Sequence, residues 1–138
     1  MSNEIRVGNL VAKRGTKVTG FLKVAEVPGG DVNLPIMIVN GSETGPTLCI
    51  TAGVHGCEYA GMEAARRIFN RTEQSALKGS LIIVPVVNML GFRTRIYGVC
   101  PIDGLNIFRI FPGEPDGSFS HVIARKLFDE VIKQADYY

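Results

Sequence analysis

The sequence predicts an α/β fold in which a mixed, mostly parallel sheet is flanked by helices. Three observations predict it. Leu81-Ile-Ile-Val-Pro-Val-Val87 is apolar at every position, as expected of a central strand buried on both faces. The shorter run at 47–51 leads through a glycine-containing turn into residues 58–69. There Ala60, Ala64, Ala65 and Ile68 keep helical spacing, while Arg66, Arg67 and Arg71 face outward. Residues 118–135 carry a second helical stripe, made of Phe119, Val122, Ile123, Leu127, Val131 and Ala135. Strands alternating with amphipathic helices place helices on both faces of a sheet.

Taken in order, residues 5–27 hold short apolar runs broken by Gly8, Gly15 and Gly20. Ile5-Arg-Val7 and Gly20-Phe-Leu-Lys-Val-Ala25 read as short strands, and Pro28-Gly-Gly-Asp31 as a loop. Residues 1–33 thus form an N-terminal segment of short strands and loop, ahead of a main domain at 34–138. Residues 34–39 read as a buried strand that tolerates Pro35 near its start. Asn40-Gly-Ser-Glu-Thr-Gly-Pro46 is a turn cluster, which predicts that 47–51 pairs back antiparallel on 34–39. Lys78-Gly79 closes the connection from the first helix. Pro85 removes a ladder donor and predicts a bulge or an early strand end. From Asn88 to Gly117 no long periodic element appears, and glycine, proline and arginine are frequent. So long an irregular stretch in a compact domain suits a functional surface better than a linker.

Composition narrows the classes of function. The 138 residues suffice for one domain with a core and are too few for two. At 46% hydrophobic and 20% charged, the chain has the make-up of an ordinary soluble globular protein. Fifteen basic and 13 acidic residues leave a net charge of +2, which gives no ground for nucleic acid or a membrane surface as partner. No apolar run approaches the ~20 residues of a membrane span. The start, Met1-Ser-Asn-Glu-Ile-Arg6, lacks the apolar core of a signal peptide. Cys49, Cys57 and Cys100 are odd in number and have no framework spacing, which favours free thiols in a reducing compartment. A cytoplasmic location is the expectation.

The stretch with chemistry in it is Thr51-Ala-Gly-Val-His-Gly-Cys-Glu-Tyr-Ala-Gly61. His55 and Glu58 are spaced His-x-x-Glu where a strand turns into a helix, and residues three apart share one face of the first turn. An imidazole nitrogen and a carboxylate oxygen can then converge on one point, as two ligands of a tetrahedral zinc must. Spacing alone leaves the bland alternative open, a helix-start histidine beside a solvated glutamate. A glycine-containing turn before a helix also suits an anion, but neither phosphate-binding glycine pattern is present.

Three segments in order carry a more specific signal: Gly53-Val-His-Gly-Cys-Glu58, Pro85-Val-Val-Asn-Met-Leu-Gly-Phe92 and Pro101-Ile-Asp-Gly-Leu-Asn-Ile-Phe-Arg-Ile-Phe-Pro-Gly113. Together they resemble the succinylglutamate desuccinylase and aspartoacylase family, relatives of the zinc carboxypeptidases, over nearly the whole chain from Leu34 onward. The resemblance implies that 34–138 is the amino-terminal part of a zinc carboxypeptidase-like catalytic domain. It implies a zinc-dependent hydrolase acting on a small N-acylated amino acid or amine. His55 and Glu58 match the first two zinc ligands, and Arg109 the arginine that grips a substrate carboxylate, with Asn106 in the same substrate-binding motif. Arg95 is the candidate for polarising the scissile carbonyl, with Arg93 two residues away.

The sequence departs from that pattern twice. The family's Asn-Leu-Asn-Arg reads Asn106-Ile-Phe-Arg109 here, so Phe108 replaces an amide that would help bind the carboxylate. The third zinc ligand and the general-base glutamate of the family belong further on than Tyr138. Hence the expectation of an apparently truncated chain, inactive alone. His121, inside the last helix, reads as a helix-surface histidine, and Cys57 as a packed small residue. Asn88 reads as fixing the loop after the strand, and Asp103-Gly104 as a turn. The alternatives are a non-catalytic binding or assembly module and a carboxypeptidase-type peptidase, and homo-oligomerisation stays open.

Overall fold

The strand that the sequence marks as central is central. In the computed structural model, which describes residues 3–138, the order of elements is β1 (Glu4–Val7), β2 (Leu10–Lys13), β3 (Thr16–Val27), β4 (Gly30–Asn40), β5 (Glu43–Thr51), α1 (Tyr59–Arg71), β6 (Lys78–Val84), α2 (Met89–Thr94) and α3 (Phe119–Glu130). Short 3-10 turns lie at Ile107–Arg109 and Ile132–Gln134. The main sheet runs β3-β4-β6-β5, and β1 with β2 makes a separate hairpin. β6 stops at Val84, where Pro85 has no N–H to continue the ladder.

Alternation along β4 and β6 divides the core in two. Leu34, Ile36 and Ile38 of β4 and Ile82 and Val84 of β6 point to one face, where Ile123, Ala124 and Leu127 of α3 and Val7 and Ala12 of the small hairpin meet them. Val39, Leu81 and Ile83 point to the other, against Ala65 of α1. Helices therefore cover both faces, but α1 does so with Met62 and Ala65, while Ala60, Ala64 and Ile68 of its expected stripe are exposed. Lys17 of β3 reaches across to α1 and donates from Nζ to the carbonyls of Phe69 and Thr72, at 2.5 and 3.0 Å. A cation there satisfies carbonyls left open at a helix C-terminus.

The α/β class and the mixed sheet agree with expectation, but one of the three pairings is parallel, rather than most. β3–β4 and β4–β6 are antiparallel, and only β5–β6 is parallel. The predicted antiparallel return of 47–51 onto 34–39 does not form, because β6 lies between them. The seven-residue turn cluster is used to step over β6: Gly41 donates to the carbonyl of Gly79, and Ser42 bonds the carbonyls of Gln74 and Ser75. That step carries the chain across two strand spacings, roughly 9.5 Å, which a tight hairpin turn cannot do. The boundary expected at residue 33 also disappears. β3 and β4 pair from Thr16↔Asn40 to Val27↔Gly30, so the N-terminal segment supplies an integral strand of the sheet. Among the described residues no helix is long and apolar enough to cross a membrane.

Candidate active site

β5 ends at Thr51, and the chain turns through residues 52–58 before α1 begins at Tyr59. Two glycines allow that turn. Gly53 sits at φ 59°, and a Cβ on Gly56 would overlap the backbone of Gly91 and Phe92. Gly56 thereby lets α2 lie directly against the turn that carries His55. The backbone of this turn is pinned to the end of the central strand, with Val87 N–H donating to Ala52 O at 3.0 Å and Asn88 N–H to Gly53 O at 2.8 Å.

His55 and Glu58 meet as the spacing predicts. Nδ1 of His55 lies 2.9 Å from Oε1 of Glu58, with the histidine largely enclosed and the glutamate half-exposed. In a tetrahedral zinc shell with bonds of ~2.0–2.2 Å, neighbouring donors stand about 3.3 Å apart, so this pair needs to open by only a few tenths of an ångström. Imidazole nitrogen and carboxylate oxygen are both proper zinc donors. The pair fits two positions of such a shell. Among the described residues no group of three or more His, Cys, Asp or Glu side chains converges as a complete shell would.

The remaining residues come from the irregular stretch. Nε2 of His55 is 3.2 Å from Oδ1 of Asn106, which also accepts from the N–H of Phe108 at 3.1 Å. The structure thus places Asn106, expected in the substrate pocket, on the imidazole. Arg109 ends the same 3-10 turn and is exposed. Arg95 caps α2 in the left-handed region at φ 57°, a conformation more usual for glycine. It shares an open pocket of about 600 Å³ with Tyr59, Phe92 and Arg93. None of Arg93, Arg95 and Arg109 forms an ion pair among the described residues. Their charge is therefore available to an anionic ligand.

Four placements refine the sequence reading. Tyr97, which no motif singled out, sets its ring against His55 with centroids 5.3 Å apart. Only its position in the arginine- and glycine-rich loop could have signalled it. Tyr59 bonds to Cys57; that hydrogen bond, more than burial, pushes its phenol up, against the pull of the Arg95 charge. Asn88 does fix the loop, accepting from Gly91 N–H at 2.8 Å and donating to Val99 O at 3.2 Å. His121 is half-buried rather than on the helix surface, with Nδ1 enclosed and unbonded among the described residues.

Asp103 does more than make a turn. Its carboxylate accepts from Ser118 Oγ, Ser120 N–H, Ser120 Oγ and Leu105 N–H at 2.7–3.2 Å, tying the loop before Asn106 to the start of α3. Burial alone would raise its pKa, but the bonds from Ser120, Ser118 and Leu105 outweigh it and hold the carboxyl below the usual range.

Comparison with known proteins adds to this geometry. Residues 44–138 match the model of the succinylglutamate desuccinylase/aspartoacylase catalytic domain. Over 125 residues the chain is 40% identical to the N-alpha-acetyl-L-2,4-diaminobutyric acid deacetylase of Halomonas elongata, covering 85% of this chain and 35% of that protein. The fold superimposes on a succinylglutamate desuccinylase/aspartoacylase from Rhodobacter sphaeroides with a TM-score of 0.83 at 30% identity, over 98% of this chain and 41% of that one. It matches the product-bound ectoine utilization protein EutE (DoeB) of Ruegeria pomeroyi with a TM-score of 0.82 at 32% identity, over 99% and 42%. The chain spans about a third of the length of the curated relative and about two-fifths of these solved structures.

Proposed function

The chain belongs to the succinylglutamate desuccinylase/aspartoacylase family, and from that premise we propose that it supplies the metal-binding turn and part of the substrate pocket of a zinc-dependent amidohydrolase. The family is one of deacylases, which hydrolyse the amide of acyl amino acids. The observation that carries the zinc reading is the His55 Nδ1–Glu58 Oε1 pair, two metal donors facing each other across 2.9 Å.

In this reading His55 and Glu58 hold the zinc, which when bound lowers the pKa of a water and polarises a carbonyl. Arg109 holds a substrate carboxylate with its planar, permanently charged fork. Arg95, beside Tyr59, stabilises the negative charge that develops on the scissile oxygen. The substrate is a small N-acylated amino acid or amine. The 40% identity to an N-acetyl-diaminobutyrate deacetylase supports an N-acetylated diamino acid. A cytoplasmic setting belongs to the same proposal, supported by the free thiols Cys49, Cys57 and Cys100.

Zinc titration of the wild-type chain and of His55→Ala by calorimetry tests the reading. Weak binding that the substitution abolishes is the expected outcome, and identical titrations would remove the metal role. Because no third ligand joins His55 and Glu58 among the described residues, the 138-residue chain alone is expected to release little or no acetate from Nα-acetyl-2,4-diaminobutyrate. Robust zinc-dependent turnover contradicts that expectation. A second reading, a non-catalytic binding module, is favoured by one feature. Phe108 is 68% exposed beside Asn106 and offers no polar group to a carboxylate.

A further inference from the structure

Two neighbouring depressions at the C-terminal ends of β5 and β6 share one wall. Tyr59, the first residue of α1, and Phe92 of α2 meet edge to face, with ring centroids 6.2 Å apart. On one side of this pair lies the open pocket that Arg93 and Arg95 border. On the other lies a depression of about 390 Å³ lined by Met37, Met62, Pro85 and Val86. The fold explains why this second space stays open. β6 stops at Val84, α1 covers the sheet with Met62 and Ala65, and α2, six residues long, leaves part of that face uncovered. Tyr59 and Phe92 are 50% and 38% exposed, and large apolar side chains left in water side by side mark a binding surface more than scattered ones do. The charged residues at the rim of the apolar depression, Glu63 and Arg66, neutralise each other: Arg66 donates to the Glu63 carboxylate at 2.7 and 2.8 Å. Arg93 and Arg95 have no ion-pair partner among the described residues. The groove is thus apolar at one end and cationic at the other.

From this we propose that the groove across Tyr59 and Phe92 binds a medium-chain carboxylate, an anion with an unbranched apolar tail. The guanidinium of Arg93 or Arg95 receives the carboxylate, for which its planar fork is suited. The tail crosses the aromatic pair into the space between Met37, Met62, Pro85 and Val86. Two methionines suit such a surface, because the flexible thioether side chain adapts to tails of different shape. A short carboxylate gains only the cationic end of the groove, and a neutral alcohol only the apolar end, so the two ends together define the ligand. Arg95 also belongs to the candidate active site, but the groove needs no metal and its occupation does not depend on the zinc reading.

NMR titration of the full chain with butanoate, hexanoate and octanoate, without metal and below micelle-forming concentrations, tests the proposal. Burying one methylene is worth roughly a two- to fourfold gain in affinity, so each two-carbon step is expected to tighten binding about four- to 15-fold. Shifts are expected at Met37, Met62 and Phe92 for the tail and at Arg93 and Arg95 for the carboxylate. Arg93→Gln and Arg95→Gln, both at exposed positions, are each expected to weaken octanoate binding up to about fivefold. Phe92→Gln is expected to reduce the gain per two-carbon step, and amide spectra establish that each variant is folded. Equal affinities for butanoate and octanoate overturn the proposal, as do shifts clustered away from these residues. Octanol binding as tightly as octanoate overturns it too, because the arginines would then contribute nothing.

Discussion

Asp103 shows how one side chain can serve a site that it does not enter. Four donors converge on its carboxylate, and they hold its pKa below the ordinary value. The stability it contributes is therefore fully present above the unfolded-state value of about 3.9. It is lost as pH falls through the lower folded value. Asp103→Asn is expected to unfold at lower urea than wild type at pH 6, with the gap narrowing as pH falls below about 3.9. Equal midpoints at pH 6 would show that the four bonds contribute nothing. At the same scale, the meeting of His55 and Glu58 was legible in the sequence, because their spacing puts them on one turn. Asn106 was legible as a residue but not in its contact, since His55 lies 51 positions away.

Between elements the decisive contact is the seat of α2 on the His55 turn. Gly56 has no room for a Cβ against the backbone of Gly91 and Phe92, and backbone yields less readily than a flexible side chain. Gly56→Ala must push α2 outward, and overpacking of this kind costs roughly 1–3 kcal/mol. The expected result is a lowered urea midpoint together with, on the proposed metal reading, weakened zinc binding, because the displaced turn carries His55. A variant with wild-type stability and zinc affinity would mean that α2 does not support the site. Both long helices were readable as elements, and the α3 stripe holds, but the α1 stripe was misplaced: Ala60, Ala64 and Ile68 are exposed, and Met62 and Ala65 are the buried face. α2 was not readable, because six residues are too few to show a period.

At the scale of the molecule, β6 joins both halves of the core: Ile82 faces one and Ile83 the other, and neither is exposed. Ile82→Ala is expected to cost about 2–5 kcal/mol, a large share of the 5–15 kcal/mol typical of a domain. Fluorescence and circular dichroism should then report one shared, lowered urea transition. Separate transitions for the two probes would mean that the two faces fold independently.

The sequence by itself determined that this is an α/β protein, that β6 is central, that two helices flank the sheet and that His55 and Glu58 share a turn. These features depend on periods and spacings within about a dozen residues, which local sterics and burial impose directly. Folding in three dimensions settled that β6 inserts between β4 and β5, that β3 of the N-terminal segment joins the main sheet, and that Asn106 and Tyr97 close on His55. Those outcomes depend on which distant surfaces fit together, and many pairings are compatible with the same local pattern. Packing chooses among them by the apolar area each buries and the backbone donors each satisfies.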